Sequence, residues 1–291
     1  MDIRLSDAER VFIMHGAQND LRNDGRSCPD YRPCWVERGV LSTTDGSARV
    51  RIGTTDVLAG VKCELVQCDD SSRECDRLIF HVDCSANASP QFIGRGGDEF
   101  ATELSDALQL AYDNAHALPD ILKLILTPNH YWKLYIDVVI LQCGGAIIDA
   151  VSIAAKAALY DTEIVNVVTR QADEKKMAVD LPSGYSTWTL DVKKAPLIVS
   201  VTKVGQANVL DATMEEEECA FASLWIGVIS EPSSDSLVTM CRQANGGSLD
   251  ASSVEDMIQL ALSAARTLDG KVLKWLPEIA RGIIAGQTFL S

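Results

Sequence analysis

Apolar and polar positions along this chain switch between two periods, and each switch marks a change of element. Over 47–52 the stretch SARVRI alternates, with Ala48, Val50 and Ile52 to one side and Arg49 and Arg51 to the other. GTTD then turns the chain and VLAGVKCEL (57–65) returns, which predicts a β-hairpin. LIFHVDC (78–84) reads as another strand. From 98 to 115 the spacing lengthens. Phe100, Leu104, Ala107, Leu108, Ala111 and Tyr112 recur at three and four, the period of a helix with one buried face. Asp98, Glu99 and Glu103 cluster near its start, where the helix dipole favours negative charge. The run 131–143 places Trp132, Leu134, Ile136, Val138 and Ile140 on one face of a strand. Gly144 and Gly145 break it. Residues 148–161 are then apolar nearly all round, which predicts a buried helix packed through alanines. Lys156 is the exception, and its long stem is expected to carry the ammonium out to water.

The rhythm returns more loosely after 190. Stretches 195–204 and 208–213 bracket the turn-like GQA, and 219–230 and 237–243 read as two more strands. Residues 251–269 predict a long helix burying Val254, Met257, Ile258, Ala261, Leu262, Ala265 and Leu268. Hairpin, strand and helix thus occur twice, which points to an α/β (α+β) fold of two similar mixed-sheet halves. The divisions read as an N-terminal helix and turn segment over 1–30, a first half over 31–190, and a second half with the C-terminal helix over 191–291. No Pro/Gly/Ser-rich linker separates the halves. Ser6 and Glu9 carry a capping-box signature for a helix to about His15, and LRNDGR and CPDYRPC are turn-rich. Residues 68–77 read as a polar loop and 170–187 as an exposed excursion. The apolar residues of KVLKWLPEIA (271–280) either cap the second helix or touch a neighbour.

Composition narrows the function classes. A 47% hydrophobic share of 291 residues can fill one large core or two modest ones. No apolar run reaches membrane-spanning length, and MDIRLSDAER reads as charged rather than as a leader. Nine cysteines, several inside apolar runs (Cys63, Cys143, Cys219, Cys241), read as reduced thiols. Cys68, Cys75 and Cys84, with His81 among them, are spaced too loosely for a zinc site. Lys and Arg total 26 against 41 acidic residues, a formal net charge of -15. A chain gripping RNA alone would show a basic balance, so any RNA partner implies other chains supplying positive field.

The chemical constellations are sparse. His15, His81, His116 and His130 lie in no nucleophile motif. GRGGDE (94–99) lacks the spacing of a phosphate cradle, and Asp98 and Glu99 would repel a phosphate there. The acidic run 215–218 reads as an exposed turn rather than a metal site, because adjacent carboxylates do not converge. Asp211, ending an apolar strand, is the better buried polar residue, expected to accept N–H bonds from the turn that follows.

Six pieces in order carry a resemblance: LRNDGR (21–26), GSARVRIGTTDVLAGVK (46–62), VDCSANASPQFIGRGGDE (82–99), LYIDVVILQCGGAIIDAVSIAAKAAL (134–159), VLDATMEEEECAFASL (209–224) and NGGSLD (245–250). Together they resemble the RNase PH-like subunits of the RNA exosome. The resemblance implies an RNase PH-like fold of two pseudo-repeated halves. Active members degrade RNA from its 3′ end with inorganic phosphate as the attacking group. They hold phosphate near a Gly-Gly-Thr-Arg segment and use a carboxylate as acid or metal ligand. Here Gly144 and Gly145 are followed by Ala146 and Ile147, and Ile147 offers phosphate neither charge nor hydrogen bond. Asp211 matches the strand-ending aspartate, and the catalytic aspartate, counted twelve positions on, falls at Ser223.

The resemblance therefore implies a non-catalytic subunit with no cofactor and no metal. Its partners would be related subunits in a hetero-hexameric ring, S1- and KH-containing cap subunits and RNA, without a membrane, in nucleus, nucleolus and cytoplasm. An active phosphate-dependent exoribonuclease and an unrelated α/β binding module are the alternative readings. Three arginines are candidate RNA contacts. Arg95, in a glycine-flanked loop, either clamps a phosphate or pairs with Asp98 or Glu99 to order the turn. Arg22 and Arg26 flank Asp24 and either pair with it, bind a neighbouring subunit or reach RNA.

Overall fold

The computed structural model describes residues 5–67, 76–114, 116–173, 176–180, 184, 186–230 and 236–279. Ser6 caps helix α1 (Asp7–Gln18), with its hydroxyl accepting from Glu9 N and the Glu9 carboxylate accepting from Ser6 N at 2.7 Å. The turn-rich segment leads into β1 (Cys34–Arg38), β2 (Gly46–Ile52) and β3 (Thr55–Gln67). Then come β4 (Leu78–Cys84), α2 (Asp98–Tyr112), β5 (Ile125–Thr127), β6 (His130–Gln142) and α3 (Ile147–Asp161). Four short strands follow: β7 (Glu163–Val165), β8 (Val168–Asp173), β9 (Lys176–Asp180) and β10 (Thr187–Thr189). The second half holds β11 (Leu197–Val204), β12 (Ala207–Leu210), α4 (Met214–Glu218), β13 (Ala220–Ile229), β14 (Leu237–Ala244) and α5 (Ala251–Trp275).

Two sheets frame the core. The first runs β1-β2-β3-β6-β4 with β5 beside β6, and the second runs β12-β11-β13-β14. Only β4 and β6 pair in parallel among the described strands, because α2 carries the chain across between them. The second sheet is antiparallel throughout, so the halves are similar without being copies. Ala48, Val50, Ile52, Leu134, Ile136, Val138 and Ile140 all point into the core, as their alternation requires. Helix α3 packs on β2 and β3 on one side and β11 on the other, which explains an apolar surface all round. Its polar residues join it to β11 and to the N-terminal segment. Asp149 accepts from Tyr31 Oη at 2.8 Å and from Ser200 N at 3.1 Å, and Ser152 Oγ accepts from Ile198 N at 2.8 Å.

Four expectations need correction. Lys156 is fully buried, because a helix covered on both sides leaves its stem no route to water. Its Nζ donates to Asp269 Oδ1 at 2.5 Å and to Ala195 O at 2.7 Å. The segment 170–187 holds strands that its weak pattern did not predict, since β8 pairs antiparallel with β9 and β10 with β7. Strand β1 follows the turn-rich CPDYRPC, where no strand was expected. Helix α5 runs on to Trp275. Val272, Leu276 and Ile279 are buried, and the Arg38 guanidinium donates to Ile279 O, so the described part of the tail caps the core. Of the 68–77 loop, 68–75 lie outside the described residues, as do 280–291. The seven described cysteines are free thiols.

The Lys156–Asp269 pair ties the first half to α5 and gives a direct test. Asp269→Ala leaves a buried ammonium without its counter-charge and is expected to cost about 3–5 kcal/mol in urea unfolding. Lys156→Met with Asp269→Leu is expected to recover most of that loss, since an apolar pair of similar volume removes the desolvation cost altogether.

Candidate functional site

The site is built around a corner where three parts of the chain meet. The segment before β1 brings Arg32, the β6–α3 turn brings Gly144 and Gly145, and the β12–α4 turn brings Asp211. Arg32 is buried, and four of its five guanidinium N–H donors have partners at this corner. Nη1 donates to Gly144 O at 2.6 Å, and Nη2 donates to Gly145 O at 3.0 Å and Asp211 Oδ1 at 2.6 Å. Nε donates to Asp211 Oδ2 at 2.9 Å, and the Arg32 main-chain N–H reaches the same oxygen at 2.6 Å. Asp211 thus takes its bonds from Arg32 and Arg26, not from the turn after it.

The glycine pair is required by packing. A Cβ on Gly144 would lie 2.1 Å from Thr54 Oγ1, and one on Gly145 would lie 2.3 Å from Ala212 O. Gly145 also has φ +93, and Ala146 follows at φ 47 in the left-handed region. Ile147 is buried in the core, so no cation stands at the arginine position of the active pattern.

The backbone donor heading α3 is already occupied. Ala146 N–H donates to Glu217 Oε1 at 2.8 Å. Helix α4 brings this about. Thr213 Oγ1 caps it, and the Glu216 carboxylate returns to Thr213 N at 2.8 Å. The single turn then sends Glu216 inward to Arg22 and Glu217 to the α3 terminus. The run 215–218 is therefore a capped helical turn with one buried and one half-buried carboxylate, rather than an exposed turn. Burial pushes the Glu217 carboxyl up to about 7, opposed by the Ala146 N–H bond and by Arg32, with Asp211 and Glu216 adding to the rise. Burial likewise raises Asp149 to about 7.

Ser223 carries a hydroxyl where the resemblance places the catalytic aspartate. It lies inside the second sheet opposite Thr202, is buried, and shares a hydrogen bond with Thr202 Oγ1 at 3.1 Å. The carboxylate facing the glycine corner is Glu217. Beside the corner opens a cleft of about 570 Å³, whose lining includes Asp24, Arg32, Gln142, Cys143, Met214 and Glu215.

The candidate RNA-contacting arginines separate sharply. Arg22 is buried, with Nε on Glu216 Oε1 at 2.8 Å and Nη2 on Glu216 Oε2 at 2.5 Å and Asp211 O at 2.9 Å. Its Nη1 serves Leu210 O and Asp30 O. It pairs with Glu216 rather than Asp24 and has no donor left for a phosphate. Arg26 pairs with Asp24 at 2.7 Å and Asp211 at 3.1 Å, so it too holds the fold. Arg95 alone stands in solvent, its side chain 95% exposed, with one ion pair to Asp98 at 3.1 Å. Arg32 and Glu217 escaped the sequence reading. The Thr213/Glu216 capping box was the available signal for α4, whereas nothing local marked Arg32.

Comparison with known proteins gives the following. Residues 30–165 match domain 1 of the 3′ exoribonuclease family and residues 194–264 match domain 2. The chain is 30% identical to a Dictyostelium discoideum protein named "Putative exosome complex exonuclease RRP42", over 89% of this chain and 93% of that one. It is also 30% identical to the "Exosome complex component Rrp42" of Sulfurisphaera tokodaii, over 89% and 91%. In structure it is similar to a chain of the Archaeoglobus fulgidus exosome with RNA bound to the active site. That match has a TM-score of 0.76 at 24% identity, covering 91% of this chain and 98% of that one.

Two outcomes test the corner. Gly145→Ala is expected to destabilise the chain by roughly 2–4 kcal/mol in urea unfolding, through combined clash and backbone strain. Between the unfolded carboxyl range near 4.5 and about 7, native Glu217 holds a proton that the unfolded chain has lost. Its contribution therefore makes stability fall as pH rises through that window and stay flat above it. Glu217→Gln keeps an acceptor for Ala146 N–H, and its stability-against-pH curve is expected to drop less steeply than the parent's.

Proposed function

The chain belongs to the 3′ exoribonuclease family, both of whose domains it carries in order, and on that premise we propose that it is a non-catalytic subunit of an RNA exosome ring. The observation that carries this reading is the occupied corner. Where active members hold phosphate, this chain's own Glu217 carboxylate takes the Ala146 N–H, and a buried Ile147 replaces the arginine. Among the described residues lining the cleft, the one cation is Arg32, and four of its five guanidinium donors are taken by Asp211 and the glycine carbonyls. Glu215 and Asp24 leave the mouth negative, which opposes entry of phosphate or of an RNA backbone.

Ring membership is supported by the naming of the relatives and by the surface. Phe12, Leu21, Ile93 and Phe221 each stand more than half exposed, an arrangement suited to a chain with neighbours on several sides. The partners in this reading are related subunits, with cap subunits above the ring and RNA passing through it. The net charge of -15 assigns most of the attraction for RNA to those partners. Arg95 is this chain's best-placed contribution, because it is exposed and held by a single surface ion pair of small energetic weight.

Two measurements bear on the reading. The purified chain, incubated with single-stranded RNA and inorganic phosphate, is expected to release no nucleoside diphosphate; sustained release would overturn non-catalytic membership. In a reconstituted ring, Arg95→Ala is expected to weaken RNA binding across sequences and to lower the salt slope by roughly one unit. An intact ring with unchanged affinity and slope would remove Arg95 from the RNA path.

A further inference from the structure

We propose that Asn245 is a site of spontaneous covalent modification, in which the main-chain nitrogen of Gly246 closes a succinimide ring onto the Asn245 side-chain amide and water opens that ring to aspartate or isoaspartate. This chemistry does not depend on ring membership, and its test needs no other subunit.

The pair lies in the loop between β14 and α5, where Asn245, Gly246, Gly247 and Ser248 are all exposed. Asn245 has φ 67, a left-handed conformation that asparagine tolerates better than most residues bearing a side chain. Gly247 has φ 150, and a Cβ there would lie 2.1 Å from Phe221 O. The turn itself therefore accounts for Asn245 and Gly247. Gly246 differs. Its φ is not positive, and a Cβ there would meet nothing within 4 Å. Glycine at that position leaves the attacking nitrogen unshielded and its backbone free to rotate.

Neither reacting group is held in place. The Asn245 side-chain amide and the Gly246 N–H have no hydrogen-bond partner among the described residues. Gln243 Nε2 reaches only the main-chain oxygen of Asn245, at 3.5 Å. Other asparagines are tied down through their amides. Asn19 Nδ2 donates to His15 O at 2.8 Å and Asn166 Nδ2 to Ser186 Oγ at 3.0 Å, and each is followed by a residue with a side chain, Asp20 and Val167. Asp24 also precedes a glycine, but Arg26 holds its carboxylate at 2.7 Å.

The Gly246 nitrogen loses its proton as it attacks Cγ of Asn245. The N–Cγ bond forms, the bond from Cγ to the amide nitrogen breaks, and ammonia leaves carrying that proton. Water then adds across a C–N bond of the imide. Opening at Cγ restores the main chain with an aspartate. Opening at the main-chain carbonyl routes the chain through Cβ and Cγ and lengthens it. Either product adds a negative charge. The longer chain also displaces Gly247, whose carbonyl accepts from Gln243 Nε2 at 2.8 Å and whose Cα side packs against Phe221 O.

The experiment incubates the folded full chain in mildly alkaline buffer at physiological temperature, beside a free peptide spanning 242–249, and maps both by mass spectrometry. The folded chain is expected to show the mass change of NH2 replaced by OH at Asn245 ahead of every other described asparagine, with isoaspartate among the products. Gly246→Ala places its Cβ in open space, so it is expected to keep the thermal midpoint and to slow the modification roughly tenfold. An Asn245 that stays intact in the folded chain while the free peptide reacts, or a Gly246→Ala chain that reacts as fast as the parent, would overturn the proposal.

Discussion

The buried guanidinium of Arg32 is the interaction on which the rest of the structure depends. It closes two bonds onto the Asp211 carboxylate and two onto the carbonyls of the glycine pair, so three distant stretches of chain are held by one planar group. Asp211 is fully buried and could not remain charged without such a partner. Removing either member would strand the other, at a cost of about 3–5 kcal/mol. Arg22 on Glu216 and Arg26 on Asp211 and Asp24 extend the same network toward α4. The N-terminal segment is therefore the clasp between the two halves.

That clasp also determines the chemistry of the corner. With both glycine carbonyls turned toward Arg32, the chain leaves the turn at Ala146 with its N–H directed at α4. Helix N-termini attract anions. Here the anion is built in. Glu217 lies seven residues beyond the end of β12, cannot diffuse away, and accepts from Ala146 N–H.

Much of the fold was legible because each long element buries one face. The alternation over 47–65 and 131–142 and the helical spacing over 98–112 each reflect a single layer of packing. The reading failed where the deciding partner was remote. Lys156 was assigned to water because its carboxylate lies 113 residues away on α5. Arg22 and Arg26 looked like surface residues because Glu216 and Asp211 lie more than 180 residues on. The capped turn of α4 brings Glu217 to the corner, where an exposed acidic turn had been expected. The hairpin of β8 and β9 was missed because its residues carry little periodic signal.

The most direct test is a calorimetric titration of the purified chain with inorganic phosphate at pH about 8, a unit above the Glu217 pKa of about 7. There the carboxylate is ionised and fully competes for the Ala146 N–H. The account predicts no saturable heat at millimolar phosphate for the parent chain. Saturable one-site binding in that range, at a site lined by Gly144 and Ala146, would contradict it.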